Sequence, residues 1–230
     1  MQLEVKQITV PPGNQLQLKD ITWQMFETIL AELGENRASR LSYSNGTLEI
    51  MVPCMEHEVN KVLIGDLLKI LLEELDIEFW PLGSTTFKNA KIAQGVEADN
   101  SFYIQNEAAV RGKNRIDLET DPPPDLAIEI DITSRTQFNN YEALGVPELW
   151  RYNGRSLQIS VLQDGKYVQS DRSFQFPSFP IAHLIPQYIE QSKTAGRNVA
   201  RRSSSTPPLP DPNFLCKFYL SDLYSNHAQS

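Results

Sequence analysis

Apolar residues in the first third of the chain recur with two different periods. Trp23, Phe26, Ile29/Leu30 and Leu33 are spaced for one face of a short helix, with Thr22 placed to cap its start and Gly34 to stop it. The period then drops to two. Leu41 and Tyr43 alternate with polar residues up to Asn45-Gly46, and Leu48, Ile50 and Val52 alternate beyond it. An Asn-Gly pair between two alternating runs predicts a tight hairpin. A longer helix is expected over residues 56–75, with Val59, Val62/Leu63, Leu67/Leu68, Leu71 and Leu75 as its buried stripe. Glu58, four residues before Val62, is expected on that same side at the first turn.

Residues 77–87 and 100–104 read as extended. The run Leu126-Ala-Ile-Glu-Ile-Asp-Ile132 is the most strand-like segment and apolar enough to lie centrally in a sheet. A helix over 136–144, closed by Gly145, is followed by three strands at 148–152, 157–162 and 166–169. Helices and strands interleave, so the expected class is α/β with a mixed sheet. The composition changes at SSSTPPLPDPN, residues 203–213, which suits neither a helix nor a central strand. The folded domain is therefore expected over residues 1–195, with 196–230 an atypical, poorly ordered tail.

Composition narrows the chemistry. The chain has 230 residues, 21 Lys+Arg against 29 Asp+Glu, and a net charge of −8. An acidic chain is no generic coat for nucleic acid, although a bound divalent ion reverses the local field. The first thirty residues show no signal peptide and no stretch is apolar enough to span a bilayer, so a soluble, cytoplasmic protein is expected. Cys54 and Cys216 form no CxxC, and His57, His183 and His227 show no ligand spacing. Nucleotide-binding glycine motifs and the GxSxG elbow are absent.

What remains is a set of carboxylates: Glu58, Asp99 and Glu129. Ala127, Glu129 and Asp131 share one face of their strand while Ile128 and Ile130 take the other. A carboxylate within so apolar a strand is costly to bury unless paired or bound to a cation. Singly, each acid is more commonly a salt-bridge or sheet-edge residue. As a set, a helix glutamate, a strand aspartate and a strand glutamate suit the oxygen-only ligation of Mg²⁺ or Mn²⁺. Trp150, Tyr152 and Phe102, which alternate along strands, are expected in the core. Arg111, Lys113 and Arg115 form a basic cluster in an expected loop, either touching phosphate or simply solvated.

The blocks GVEADNSFYI, PPPDLAIEIDITS and GVPELWRY, in that order, closely resemble the Uma-type family of bacterial restriction endonucleases, a branch of the PD-(D/E)XK nuclease superfamily. The resemblance covers residues 15–195. It implies a restriction-endonuclease-like fold, a central mixed sheet flanked by helices with the active site at one end. Carried over position by position, Asp99 matches the aspartate of the Pro-Asp motif, with Ala98 where proline is usual. Glu129 matches the acidic residue of the next strand and would ligate the metal with Asp99, the carbonyl of Ile130 completing the set. Glu58 matches the acid of the preceding helix, a further ligand directly or through water. Asp125 is expected to fix the start of its strand.

The implied reaction is Mg²⁺- or Mn²⁺-assisted hydrolysis of DNA phosphodiester bonds, with DNA as partner and a symmetric homodimer allowed. One part of the pattern departs. The lysine that normally orients the attacking water is replaced by Asp131, and the compensating lysine four residues before Tyr141 is replaced by Gln137. Glutamine can hold a water but cannot take its proton. Lys88 and Lys91 are the remaining candidates to fold inward. General acid–base help contributes about 10²–10⁴-fold. The resemblance thus leaves two readings: a metal-dependent endonuclease, or a catalytically weak or inactive nuclease-fold module that binds nucleic acid or protein.

Overall fold

The structure, a computed structural model, describes residues 7–34, 37–132 and 138–202. Two sheets carry the fold. The smaller is antiparallel throughout, in the order β1 (Gln15–Leu18), β3 (Thr47–Met51), β2 (Arg40–Ser44), β6 (Gln94–Glu97), β5 (Thr86–Asn89). The larger has six strands in the order β11 (Lys166–Ser170), β10 (Leu157–Gln163), β9 (Glu148–Tyr152), β8 (Leu126–Ile130), β7 (Asn100–Tyr103), β4 (Trp80–Pro81). Only β8 and β9 run parallel, and α4 (Phe138–Leu144) lies between them in the chain. This mixed sheet with helices on both faces is the expected α/β, restriction-endonuclease-like architecture.

The first helix forms as its pattern predicts. In α1 (Trp23–Leu33) Thr22 Oγ1 accepts the Met25 N–H at 3.2 Å, and the Gly34 N–H closes the other end on the Leu30 carbonyl. Phe26, its one fully buried side chain, stacks on Tyr43 of β2 with ring centroids 4.8 Å apart. The hairpin is equally faithful, with Ser44 opposite Thr47 and both Asn45 (φ 43°) and Gly46 (φ 91°) left-handed. A methyl group at Gly46 would meet nothing closer than the Ile21 carbonyl oxygen at 3.8 Å. Gly46→Ala should therefore cost about 1–2 kcal/mol through backbone conformation alone. Urea unfolding measures it, and an unchanged midpoint would mean that the turn is not held in this form.

The second helix, α2 (Met55–Glu74), corrects the predicted stripe at its start. Its buried residues are His57, Asn60, Ile64, Gly65, Leu67, Leu68, Leu71 and Leu72, while Val59 and Val62 are exposed. Glu58 accordingly points to the open side of the first turn. The helix is pulled into this rotation at two points. His57 packs against Asp99, and Asn100 Nδ2 donates to the Lys61 carbonyl at 2.9 Å. Gly65 permits the crossing, since a Cβ there would stand 3.0 Å from Asn100 Nδ2.

The larger sheet is packed on both faces. Ile128 and Ile130 of β8, Trp150 and Tyr152 of β9 and Phe102 of β7 face α2 and α5 (Ile181–Ala195). Ala127 and Leu149 face the opposite way, toward Tyr141 and Leu144 of α4 and Phe87 and Val96 of the smaller sheet. The alternation read from the sequence is thus realised, and the three aromatics are core. Asn140 of α4 is fully buried and donates to Ser42 Oγ at 2.7 Å, joining the two layers. The described chain continues beyond residue 195 into α6 (Arg197–Arg202), where Ala200 joins the core. Of the tail expected over 196–230, residues 203–230 lie outside the described residues. Among those described, no helix is long and apolar enough to cross a membrane.

Strands β1 and β6, helix α5 and the single-turn α3 (Glu107–Val110) were not legible in the sequence. In β6 all four residues are buried whatever their polarity, so no alternation marks it. Pro186 inside α5 masks a helix that packing against the sheet sustains.

Candidate active site

Asp99 stands immediately before β7 and Glu129 near the end of β8, and the register Asn100↔Ile128 carries the two toward each other across adjacent strands. Asp99 is 1% exposed. One of its oxygens is committed: Oδ2 accepts the Ile130 N–H at 2.8 Å and lies 3.0 Å from His57 Nε2. The other, Oδ1, is buried without a hydrogen-bond donor. Glu129 accepts from the buried Tyr141 hydroxyl and keeps part of its surface open to solvent. Burial first, and then the Asp99 charge, push its carboxyl well above the ordinary carboxylate range, while Tyr141 pulls the other way. The Tyr141 hydroxyl is raised in turn, by burial and then by the Glu129 charge.

Two carboxylates this close repel one another when both are ionised, and a cation between them would relieve that repulsion. Among the described residues no group of three or more His, Cys, Asp and Glu side chains is close enough to hold a metal. A pair of carboxylates completed by carbonyl, water or phosphate oxygens is the ordinary habit of Mg²⁺, which keeps several waters.

Glu58 does not join this pair. The His57 ring stands between, its Nδ1 3.6 Å from Glu58 Oε1 and its Nε2 facing Asp99. Glu58 turns instead toward Lys61 and Arg40. Asp131, at the usual lysine position, is paired with Arg151 at 3.5 Å. Gln137 lies outside the described residues. Lys88 is bound to Glu27 at 2.7 Å and Lys91 to Glu119 at 3.0 Å, so neither folds into the site. Lys61 approaches the backbone of Asp99 instead. Its Nζ is 3.0 Å from Ser84 Oγ, which donates to the Asp99 carbonyl at 3.1 Å.

Asp125 fixes the start of β8 by accepting the N–H groups of Ile104 and Asn106. In the basic cluster Arg111 is held by Glu107 and Lys113 by Asp121, which favours the solvated reading for both. His57 and Lys61 were missed in the sequence. The signal for His57 was present, because 57, 60, 64, 67/68 and 71 trace one helical face, but polar residues at its head hid it.

A mixed sheet flanked by helices, with two carboxylates meeting at the ends of neighbouring strands, defines a restriction-endonuclease-like protein. The chain belongs to the Uma2 family: the profile of that family, described as "Putative restriction endonuclease", matches residues 23–189. No curated protein matches the chain.

Proposed function

We propose that the protein is a metal-dependent endonuclease that hydrolyses DNA phosphodiester bonds, with Asp99 and Glu129 as the protein ligands of Mg²⁺ or Mn²⁺. The observation that carries this reading is the Asp99–Glu129 pair, in which Asp99 is buried with its Oδ1 lacking a hydrogen-bond donor and Glu129 is held by Tyr141. When bound, such an ion polarises a phosphoryl oxygen, lowers the pKa of a coordinated water and offsets charge on the leaving oxygen. The chain's own groups prepare the place. The Ile130 N–H holds one Asp99 oxygen, with the His57 ring packed beside it, and Tyr141 orients the Glu129 carboxylate. By the family resemblance the Ile130 carbonyl would be a third ligand. Gln137 remains the proposed holder of the attacking water.

The second reading, a nuclease-fold module without efficient catalysis, is favoured by Asp131, whose carboxylate pairs with Arg151 where a lysine is usual. Plasmid cleavage over a Mn²⁺ and Mg²⁺ titration separates the two, with wild type beside Glu129→Ala. Nicking or linearisation that needs metal and disappears in the variant is the expected result. If both proteins stay folded and inert, the binding-module reading replaces the enzyme.

A further inference from the structure

The charges around Glu58 form a second site beside the carboxylate pair. Glu58 Oε2 lies 3.4 Å from Lys61 Nζ, and its Oε1 lies 3.8 Å from Arg40 Nη2 and 3.6 Å from His57 Nδ1. The side chains of Arg40 and Lys61 are 18% and 15% exposed, whereas that of Glu58 is 42% exposed. The cations are embedded, and the anion is the member that faces water. Every one of these contacts is longer than the roughly 2.7–2.9 Å of a good charge-assisted hydrogen bond. Arg40 Nε is buried without an acceptor, and Glu58 Oε1 is buried without a donor. Two desolvated cations thus share one loosely held carboxylate, which offsets only part of the cost of taking them out of water.

Their position gives this imbalance a use. Lys61 is separated from the backbone of Asp99 by the single hydroxyl of Ser84, and the His57 ring bridges the gap between Glu58 and Asp99. In a chain of net charge −8, a concentrated pair of cations beside two acids is a place where a phosphodiester can approach with less repulsion. The guanidinium presents a planar fork and the ammonium a point charge, the two chemistries proteins use to hold phosphate oxygens.

We infer that Arg40 and Lys61 form a subsite for a DNA backbone phosphate next to the scissile one, and that Glu58 occupies it as a displaceable internal anion. This rests on the nuclease reading above and deepens it. Glu58 then serves as the counter-ion that keeps the pair in place until a phosphate arrives, and swings toward solvent when it does. It is a positioning residue, and its loss strengthens DNA binding without touching the metal site.

The test is binding of a fluorescent DNA duplex in Ca²⁺ over a salt series, using the full chain as wild type, R40M, K61M and E58Q, with thermal melts to show that each is folded. Mn²⁺ affinity, read by electron paramagnetic resonance, is measured on wild type, E58Q and D99N. The expected results are a salt slope reduced by about one in each cation variant, and DNA binding a few-fold tighter in E58Q, on the scale of a partly exposed ion pair. Mn²⁺ affinity should be kept in E58Q and lost in D99N. Unchanged slopes in both R40M and K61M overturn the subsite, as does weaker DNA binding together with weaker Mn²⁺ binding in E58Q, the signature of a metal ligand. Wild type that binds Mn²⁺ but no duplex at any salt overturns the DNA reading and the subsite together; wild type that binds duplex but no Mn²⁺ overturns the metal reading and leaves the slopes to decide the subsite.

Discussion

Glu129→Gln is expected to raise the stability of the metal-free protein at pH 8 while abolishing its affinity for Mn²⁺. The two effects have one cause. Burial and the Asp99 charge hold the Glu129 carboxyl well above its ordinary range in the folded state. Between the unfolded value, about 4.3, and the folded one, the native state binds the additional proton. Stability therefore falls as pH rises through that window, and the contribution present below it is lost above it. Glutamine is neutral at every pH, and its amide can donate permanently to the orphaned Asp99 Oδ1 while its oxygen still accepts from Tyr141.

The stability difference between variant and wild type should accordingly widen with pH, reaching about 1 kcal/mol or more at pH 8 in EDTA. Mn²⁺ affinity should fall by more than the roughly 10–100-fold typical of groups that merely orient a ligand. Thermal melts at pH 4 and pH 8, with and without Mn²⁺, check both halves. A variant that is less stable at pH 8, or that still responds to Mn²⁺, would show that the two carboxylates do not share a site.

Trp150→Ala should destabilise the protein by about 3–5 kcal/mol. Trp150 is fully buried at the centre of the larger sheet, with the Phe176 ring 6.0 Å away. Its indole N–H donates to Glu148, a buried acid whose carboxyl is raised by burial and held by Ser173, Trp150 and the N–H groups of Phe174 and Gln175. Truncation leaves a cavity and takes one donor from that carboxylate. Trp150→Phe, which removes the donor and a smaller part of the volume, should cost about 1–3 kcal/mol. Urea unfolding separates the terms, and equal losses in both variants would place the whole effect on the hydrogen bond.

The blocks that carried the family resemblance are those the fold uses most directly. GVPELWRY supplies the parallel partner of β8, with Glu148 and Trp150 as its internal brace, and PPPDLAIEI supplies β8 with Asp125 at its start. The capped helix α1 and the Asn-Gly hairpin were legible because their signals are local: a side chain bonding its own backbone, and a turn whose dihedral angles select its residues. The first turn of α2 was misread for the opposite reason. Val59 and Val62 look like core by hydropathy, but its rotation is set by contacts with Asp99 and Asn100, some forty residues away.

For the site the division is the same. The sequence alone placed Glu129 inside an apolar strand and Asp99 at the start of another, because strand alternation and the cost of burying a carboxylate are local facts. Which acids meet was decided by the tertiary structure. Strand register brings Asp99 to Glu129, the His57 ring stands between them and Glu58, and Lys61 approaches where Lys88 and Lys91 are tied to other elements. Charge interactions depend on distance through space and on how much water is excluded, and neither quantity is written along the chain.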